Sequence, residues 1–258
     1  MRLLPALLLS VALAGAAETS TLDHAKYAAA LQSFRQGKAT ALAALADPAL
    51  EVRRAAVDDL RERLVDEPTA PLAGQVGAVL GKVDLDTARL LLAALAEAKA
   101  TGTAAQVAAL ASQPDSPLRA EAALALAEIG GAKAVPILAE LAKDEALNEN
   151  IVAALAKTSG PGVTDAFNAG ILNAQLDLAG RTALIKAAIA RNHRAVSPTL
   201  CTVLAEEALR LEAQKALLKL ARPEDVPALK AAAGGMKNAA TKAALERLIA
   251  KLEKPADK

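Results

Sequence analysis

The sequence predicts an all-α protein: a right-handed α-solenoid (an α-α superhelix) of about seven helix pairs, with an N-terminal cap helix. Three observations predict this fold. Alanine and leucine, both strong helix formers, dominate the chain, while aromatic residues, which favour sheets, make up 1% of it. A pattern of two amphipathic helices recurs about every 30 residues. Glycine and proline residues fall between the predicted helices.

The N-terminus predicts a signal peptide, which we place at residues 1–17. Arg2 supplies a positive charge, residues 3–14 are apolar, and small residues fit cleavage after Ala16 or Ala17. The apolar run is shorter than the roughly 20 residues that a membrane-spanning helix needs. We therefore expect an exported chain, periplasmic or extracellular. A retained N-terminal anchor is the alternative.

Residues 18–37 predict the cap helix. Ser20 lies three residues before Asp23, as in a capping box. Two of the three aromatic residues, Tyr27 and Phe34, fall in this segment. Helical repeat stacks need an atypical terminal element to cover the apolar face of the first repeat. This helix is the candidate for that role.

The second helix of each predicted pair is marked by nine-residue segments that align with one another. They are residues 52–60, 87–95, 118–126, 147–155, 180–188, 209–217 and 237–245. The fifth segment fits least well, and we place its closing position at 187. The repeats occupy residues 38–253 as one domain, and residues 254–258 form a polar tail.

Three stretches resemble HEAT-type repeats, in the short form also found in phycobilisome-lyase-like proteins. They read ADPALEVRRAAVDDL, DSPLRAEAALALAEIGGAKAVPILAEL and LRLEAQKALLKLARPEDVPALKAA. Each has an arginine early in a helix with an alanine and leucine face, and the last two share Val-Pro-x-Leu at a later helix start. The resemblance implies the α-solenoid fold and an armadillo-like helical arrangement.

The family's arginine position is occupied by Arg53, Arg119 and Arg210. The resemblance implies that these arginines form a supporting ladder between repeats. In that ladder Asp47 would lie near Arg53, and Asp115 near Arg119. We regard these residues as structural.

The sequence predicts no catalytic, cofactor or metal site. The two histidines, His24 and His193, have no second ligand at helical spacing. Motifs of nucleophile elbows, zinc proteases and phosphate loops are absent from the sequence. The single cysteine, Cys201, lies in an apolar run, where burial is expected. We therefore expect no enzyme.

The charge is balanced overall but uneven along the chain. Loss of Arg2 with the signal peptide would leave 29 basic residues against 29 acidic ones. Residues 17–185 carry 15 basic and 21 acidic side chains, whereas residues 186–258 carry 14 and 8. A neutral protein has no general attraction to nucleic acid or anionic membranes. We expect a protein partner, no nucleic acid and no stable membrane insertion after signal cleavage.

One charged position recurs two residues beyond the closing position of the second helices. It is occupied by Glu62, Glu97, Glu128, Lys157, Lys219 and Arg247. The column changes from acidic to basic along the chain. One interpretation is a protein-binding surface, since second helices usually line the extended surface of such stacks. A partner with its own charge gradient, or head-to-tail self-association, would fit it. The other interpretation is an ordinary solvated face.

A basic loop between predicted helices contains Arg191, His193 and Arg194. These side chains would suit an anionic group of a partner. A solvated connection explains the same residues. We include the three among the candidate protein-binding residues.

Three functions are compatible with these patterns. The first is an exported, non-enzymatic HEAT-repeat scaffold that binds another protein on its concave surface. The second is a lyase- or chromophore-attachment-type factor, which the family resemblance implies. The third is a subunit of an envelope-associated assembly.

Overall fold

The computed structural model describes residues 22–67 and 71–254. The predicted signal peptide, the start of the predicted cap segment and most of the polar tail lie outside these residues. Within them every regular element is helical and no strand occurs. The predicted all-α class is confirmed for this part of the chain.

Fifteen α-helices lie within the described residues. They are α1 (His24–Arg35), α2 (Ala41–Ala44), α3 (Leu50–Asp66), α4 (Pro71–Val79), α5 (Leu85–Glu97), α6 (Ala104–Ser112), α7 (Arg119–Ile129), α8 (Ala134–Leu141), α9 (Asn148–Lys157), α10 (Val163–Leu172), α11 (Leu178–Ala190), α12 (Ser197–Val203), α13 (Glu207–Leu220), α14 (Val226–Gly235) and α15 (Ala239–Leu252). Short 3₁₀ segments directly precede α6, α8, α9, α12 and α14.

The helices form two layers. The odd-numbered helices contact one another in sequence, α1 against α3, α3 against α5, and so on to α15. The even-numbered helices from α4 to α14 do the same in a second layer, and neighbours such as α6 and α7 join the layers. Each of the seven predicted second-helix segments overlaps one of the odd helices α3 to α15, and three of them begin one or two residues before the helix does. The chain therefore has a helical repeat-like fold.

Alanine and leucine have different roles in packing the two layers together. In α3, Ala55, Ala56, Leu60 and Leu64 are all fully buried. A fully buried leucine contributes about 1.5–3 kcal/mol relative to an exposed one. Alanine on the same face lets neighbouring helices approach closely, so the core consists of many thin layers.

The two layers approach closely at Gly180 in α11. A Cβ atom at this position would lie 2.5 Å from the carbonyl oxygen of Ala139 in α8. Real Cβ atoms do not come so near to backbone atoms. A residue with a side chain at Gly180 would therefore force α11 away from α8.

Aspartate and asparagine begin several odd helices. Asp23, Asp84, Asp177 and Asn238 occupy the N-caps of α1, α5, α11 and α15, and each side chain accepts a backbone N–H of the first turn. Such caps satisfy backbone donors that have no partner inside the helix. The predicted capping box is therefore corrected: Asp23 itself is the cap, and Ser20 lies outside the described residues.

The predicted break at Gly234 and Gly235 is helical instead, because these residues form the last turn of α14. Pro198 lies in the first turn of α12, as expected for a proline at a helix start. Proline is tolerated there because the first-turn N–H has no helical partner. By contrast, Gly131 and Gly162 have φ angles of +51° and +76°, which glycine adopts readily.

Two of the three predicted ladder arginines, Arg53 and Arg119, connect successive repeats. Arg210 donates only to the carbonyl oxygen of Leu204, at 3.2 Å, and has no carboxylate partner among the described residues. The Arg53 Nη1 atom donates to the carbonyl oxygens of Asp47 and Pro48, at 2.7 and 3.0 Å, and its Nε lies 3.0 Å from Asp84 Oδ2. Arg119 pairs with Asp144 in the same way. The carboxylate partner thus comes from the turn before the next odd helix.

This arrangement corrects the predicted ladder. The Asp47 side chain accepts the backbone N–H of Ala49 at 2.8 Å, so only its carbonyl faces Arg53. Asp115 is likewise replaced by Asp144 as the partner of Arg119. The guanidinium group lies far enough along its side chain to reach the following repeat, which sequence proximity alone does not reveal.

Arg181 in α11 belongs to the same ladder. It donates to the carbonyl oxygen of Ile171 at 2.8 Å and to both carboxylate oxygens of Glu206, at 2.6 and 2.8 Å. Aligning Arg181 with Arg53 moves the closing position of the fifth repeat to Ala188, one residue later than predicted.

Candidate functional site

The predicted charged column lies on the exposed side of the odd-numbered helices, which we call the odd face. Its six members come from six different helices: Glu62, Glu97, Glu128, Lys157, Lys219 and Arg247. Five of them are exposed and Glu128 is half-buried. In the corrected register the fifth repeat contributes Ala190, so the column has an uncharged position between Lys157 and Lys219.

Two of the three acidic members of the column are paired within the chain. Arg35 Nη2 donates to both carboxylate oxygens of Glu62, at 2.6 and 2.8 Å. Arg61 Nε donates to Glu97 at 2.6 Å. Each arginine comes from the preceding odd helix, so these carboxylates are already compensated. Exposed pairs of this kind contribute about 0–1 kcal/mol each.

A tyrosine joins the cap helix to this acidic end. The Tyr27 hydroxyl donates to Asp58 Oδ2 at 2.6 Å. This hydrogen bond raises the pKa of Tyr27 to about 12, helped by burial and by the charge of Asp58. Tyr27, Asp58, Arg61, Glu62 and Glu97 line one open depression, which brings the first two column residues together.

A central depression of about 240 Å³ lies where α5, α7 and α9 meet on the odd face. Its apolar lining consists of Leu92, Ala93, Ala96, Leu124 and Ala125. Arg89, Glu121, Glu128 and Lys157 form its charged rim, and Arg89 Nε donates to Glu121 Oε1 at 2.9 Å. The last acidic and the first basic member of the column, Glu128 and Lys157, therefore both lie at the rim of an apolar hollow.

The basic end of the column lacks internal partners. No carboxylate of the described residues lies within 4.0 Å of the charged nitrogens of Lys157, Lys219 or Arg247. The same is true of Lys186, which is exposed on α11. Positive charge on this half of the odd face is thus available to a ligand.

Two exposed leucines accompany these cations on α13. Leu211 and Leu218 are 61% and 51% exposed, the largest values among the exposed large hydrophobic residues. Lys215 and Lys219 share their side of the helix, at spacings of four and eight residues from Leu211. Lys215 Nζ also donates to Glu212 at 2.8 Å. We call Lys186, Leu211, Lys215, Leu218 and Lys219 the basic flank.

Most residues of the basic flank were not predicted from the sequence, although the sequence contains a signal for them. The position five residues after each ladder arginine lies on the odd face. It holds Asp58, Leu124, Lys186 and Lys215. This second series runs from acidic through apolar to basic, in parallel with the column. Recognising Arg181 as a ladder residue would have revealed it.

The predicted basic loop is packed against α10. Arg191 Nη1 donates to the carbonyl oxygen of Thr158 at 2.6 Å, and its guanidinium carbon lies 5.4 Å from the centre of the Phe167 ring. The His193 ring contacts the same phenylalanine edge-on, at 5.2 Å between centroids, and its Nε2 lies 2.9 Å from Thr164 Oγ1. Arg191 and His193 therefore have structural contacts.

The electrostatics of this loop agree with that packing. Burial, together with the nearby Arg191 charge, lowers the pKa of His193. Arg194 is exposed and donates to the Asn192 side chain at 3.3 Å. Of the three predicted loop residues, Arg194 is the one turned to solvent, so the loop is not a fully solvated connection.

The described residues contain no cluster of three or more histidine, cysteine, aspartate or glutamate side chains that would hold a metal ion. Cys201 is buried, and burial together with the charge of Asp225 raises the pKa of its thiol to about 11. The thiol is therefore protonated at neutral pH. Between residues 22 and 254, apart from 68–70, no helix has the length and apolarity to span a bilayer.

No family model matches the chain, and no curated protein matches it. A solved structure of human deoxyhypusine hydroxylase in complex with glycerol is similar to it. That likeness covers 88% of this chain and 98% of that one, at 16% identity and a TM-score of 0.36. The specific resemblance to phycobilisome-lyase-like repeats is matched by no family model and stays an expectation.

The expectation of a non-enzymatic scaffold is not kept, because the similar structure is, by its name, that of an enzyme. That expectation took helix-pair repeats to indicate a purely binding role, whereas a fold does not determine function. At this identity and TM-score the likeness assigns no activity or substrate to the present chain.

Proposed function

We propose that this chain recognises a polypeptide segment on the odd face, with an apolar side chain of the segment seated in the central depression. The observation that carries the proposal is the depression itself. An apolar hollow between α5 and α7 has both acidic and basic side chains at its rim, among them Glu128 and Lys157. Such a site combines an apolar anchor with charges that orient the ligand.

The dimensions favour a side chain over a small-molecule ligand. Pockets for drug-sized molecules usually enclose about 300–1,000 Å³ and bury most of the ligand. The central depression has about 240 Å³ and is open to solvent. Its lining has methyl and methylene groups of alanine and leucine, which suit an aliphatic side chain.

The proposal extends to architecture. We take the two helix layers to be a right-handed α-solenoid of about seven HEAT-type pairs, capped by α1. Support comes from the ladder arginines, which recur at Arg53, Arg119 and Arg181 with the same contacts on either side. In a stack of this kind the second helices present a long continuous surface to a ligand.

Export is a further part of the proposal, supported by the composition of residues 1–17. Mass spectrometry of the protein from its host tests it. A mature N-terminus at Ala17 or Glu18 is the expected result, and a chain that retains these residues would contradict export by cleavage.

A larger side chain in the central depression tests whether the depression recognises a peptide. Ala93 is exposed on α5 and lines the depression, so Ala93→Lys should occupy it while leaving the core intact. The control is Ala105→Lys, an exposed alanine on α6 in the other layer. Peptides are first selected from a random library on the wild-type protein, and their affinities are then measured by calorimetry.

We expect Ala93→Lys to weaken the selected peptides by about tenfold or more, and Ala105→Lys to change affinity by less than about twofold. Thermal melts verify that both variants fold. Equal affinities for wild type and Ala93→Lys, or the failure of wild type to select any peptide, would refute the proposed function.

A further inference from the structure

We infer that the occupant of the odd face is an acidic polypeptide segment, whose carboxylates lie over the basic flank while its apolar residue fills the central depression. This inference rests on the proposed function and adds the chemistry and placement of the partner. The observation behind it is that Glu62 and Glu97 at the acidic end of the odd face have arginine partners, whereas Lys157, Lys186 and Lys219 at the basic end have no carboxylate partner among the described residues.

At the acidic end, two of the three column carboxylates already have an arginine partner, and Glu128 is the one without an ion pair among the described residues. Glu62 and Glu97 are compensated by Arg35 and Arg61, at contact distances of 2.6 Å. Glu121 at the rim of the depression is compensated by Arg89. A ligand gains little by replacing such pairs, because it must first separate charges that already satisfy one another.

At the other end, Lys157, Lys186 and Lys219 are exposed and have no carboxylate partner within the described chain. They come from α9, α11 and α13, which are consecutive helices of the odd layer. The cations therefore follow one another along the direction of stacking. Carboxylates at matching intervals of an extended peptide would meet them in order.

The spacing sets the length of the segment. Packed helices lie about 8–10 Å apart, so α13 lies about 24–30 Å from α7 at the centre of the depression. An extended peptide covers that distance in about eight residues. The expected ligand has an aliphatic residue followed by several acidic residues within about eight positions.

Leu211 and Leu218 explain why the flank suits a polypeptide. They lie beside Lys215 and Lys219 on α13, so the surface has apolar and cationic groups in alternation. Exposed leucines gain free energy when a ligand covers them, at about 25 cal/mol per Å² of apolar surface. A peptide can place aliphatic and acidic side chains over such a pattern together.

Other polyanions fit the odd face less well. Nucleic acids and anionic bilayers carry negative charge over their whole surface, and Glu121 and Glu128 border the depression beside the flank. Single-stranded nucleic acids also rely on aromatic platforms, and Tyr27 is the one tyrosine of the chain, next to Asp58. A polypeptide is the ligand that can restrict its carboxylates to one end.

The test uses a fluorescein-labelled peptide, Leu-Leu-Ser-Gly-Ser-Gly-Glu-Glu-Glu-Glu, and fluorescence anisotropy at low ionic strength. The triple variant Lys186→Glu, Lys215→Glu and Lys219→Glu removes the cations of the flank. The matched control is Lys82→Glu, Lys133→Glu and Lys143→Glu, which changes the net charge equally at exposed lysines outside the odd face.

We expect the flank variant to weaken the acidic peptide by at least about tenfold, and the control variant by less than about threefold. Wild type should also bind a version with glutamine in place of glutamate about tenfold more weakly. Added salt should weaken wild-type binding, because screening shortens the range of exposed charges.

Equal binding by the flank and control variants would overturn the inference. So would tighter binding of phosphatidylglycerol vesicles or single-stranded RNA than of the acidic peptide. The Ala93→Lys variant separates the two proposals. If it binds the acidic peptide like wild type while the flank variant does not, the anchor in the depression fails and the acidic ligand stands. If instead Ala93→Lys weakens binding while the flank variant binds like wild type, the acidic ligand is rejected and the anchor in the depression stands.

Discussion

The N-terminal and C-terminal halves of the odd layer are held together differently. From α1 to α7, exposed ion pairs join each helix to the next: Arg35 to Glu62, Arg61 to Glu97 and Arg89 to Glu121. From α9 to α15, no ion pair of the described residues connects two consecutive odd helices across the odd face. The strongest polar connection of this half is the buried Arg181.

One helical arrangement can therefore use its charges in two ways. Exposed pairs add little stability, so their main effect in the first half is to neutralise the surface. In the second half the guanidinium of Arg181 is buried, and the exposed Lys157, Lys186 and Lys219 have no carboxylate partner among the described residues. The C-terminal half forms fewer ion pairs of its own, so more of its charged side chains are available to bind a ligand.

The largest expected effect comes from Arg181→Met, which breaks the buried connection. Arg181 is 6% exposed and makes two hydrogen bonds to Glu206 and one to Ile171. Its loss should lower the free energy of unfolding by about 3 kcal/mol. The N-terminal control, Arg61→Met, removes an exposed pair and should cost less than about 1 kcal/mol.

Urea denaturation of both variants measures this contrast. The hydrogen bonds from Arg181 lower the pKa of Glu206. The associated stability is therefore present above the ordinary glutamate pKa of 4.5 and is lost as the pH falls below it. Equal costs for the two variants would show that the halves do not differ in the way described.

An intermediate effect is expected at Gly180. Gly180→Ala places a Cβ atom 2.5 Å from the Ala139 carbonyl oxygen and should lower the free energy of unfolding by about 1–3 kcal/mol. The matched control in the N-terminal half is Gly74→Ala, whose Cβ meets nothing within 4 Å inside α4. It should raise stability by about 0.5–1 kcal/mol, since alanine is the better helix former.

Thermal melts of the glycine variants report opposite shifts of the midpoint if the second half depends on close contact between α11 and α8. A Gly180→Ala protein that melts like wild type would mean that α11 moves away from α8 at no cost in stability. Close packing of α11 on α8 would then not distinguish the two halves.

The smallest expected effect concerns pH and His193. Burial lowers the pKa of His193 in the folded chain, so the unfolded chain takes up the proton first as the pH falls. The stability linked to the neutral ring is present above pH 6.5 and decreases below it. His193→Gln should therefore flatten the fall in melting temperature between about pH 7 and pH 5.

His24 provides the control for this measurement, because it is exposed on α1 at the other end of the chain. His24→Gln should leave the dependence on pH as in wild type. A slope that responds equally to both substitutions would mean that the packing of His193 on Phe167 does not control its titration.

The sequence was sufficient for the helices and for the face that carries the charged column. The spacing of alanine and leucine follows the buried face of each helix, so the predicted second helices coincide with α3 to α15. Ladder partners were mispredicted, because Arg119 and Asp144 meet only once two repeats have stacked. The role of Arg191 was hidden for a similar reason, since its contact with Phe167 depends on how α10 lies against α11.

The order of charges along the chain has a consequence for biosynthesis. In every ion pair between odd helices the cation precedes its carboxylate, by 27 residues for Arg35 and Glu62 and by 36 for Arg61 and Glu97. Pairs within a helix run the other way, as in Asp59 and Arg63. A ribosome releases the N-terminal residues first. Cations such as Arg35 and Arg61 therefore leave it before their carboxylate partners, and a chain that stops before Glu206 holds Arg181 without the Glu206 carboxylate.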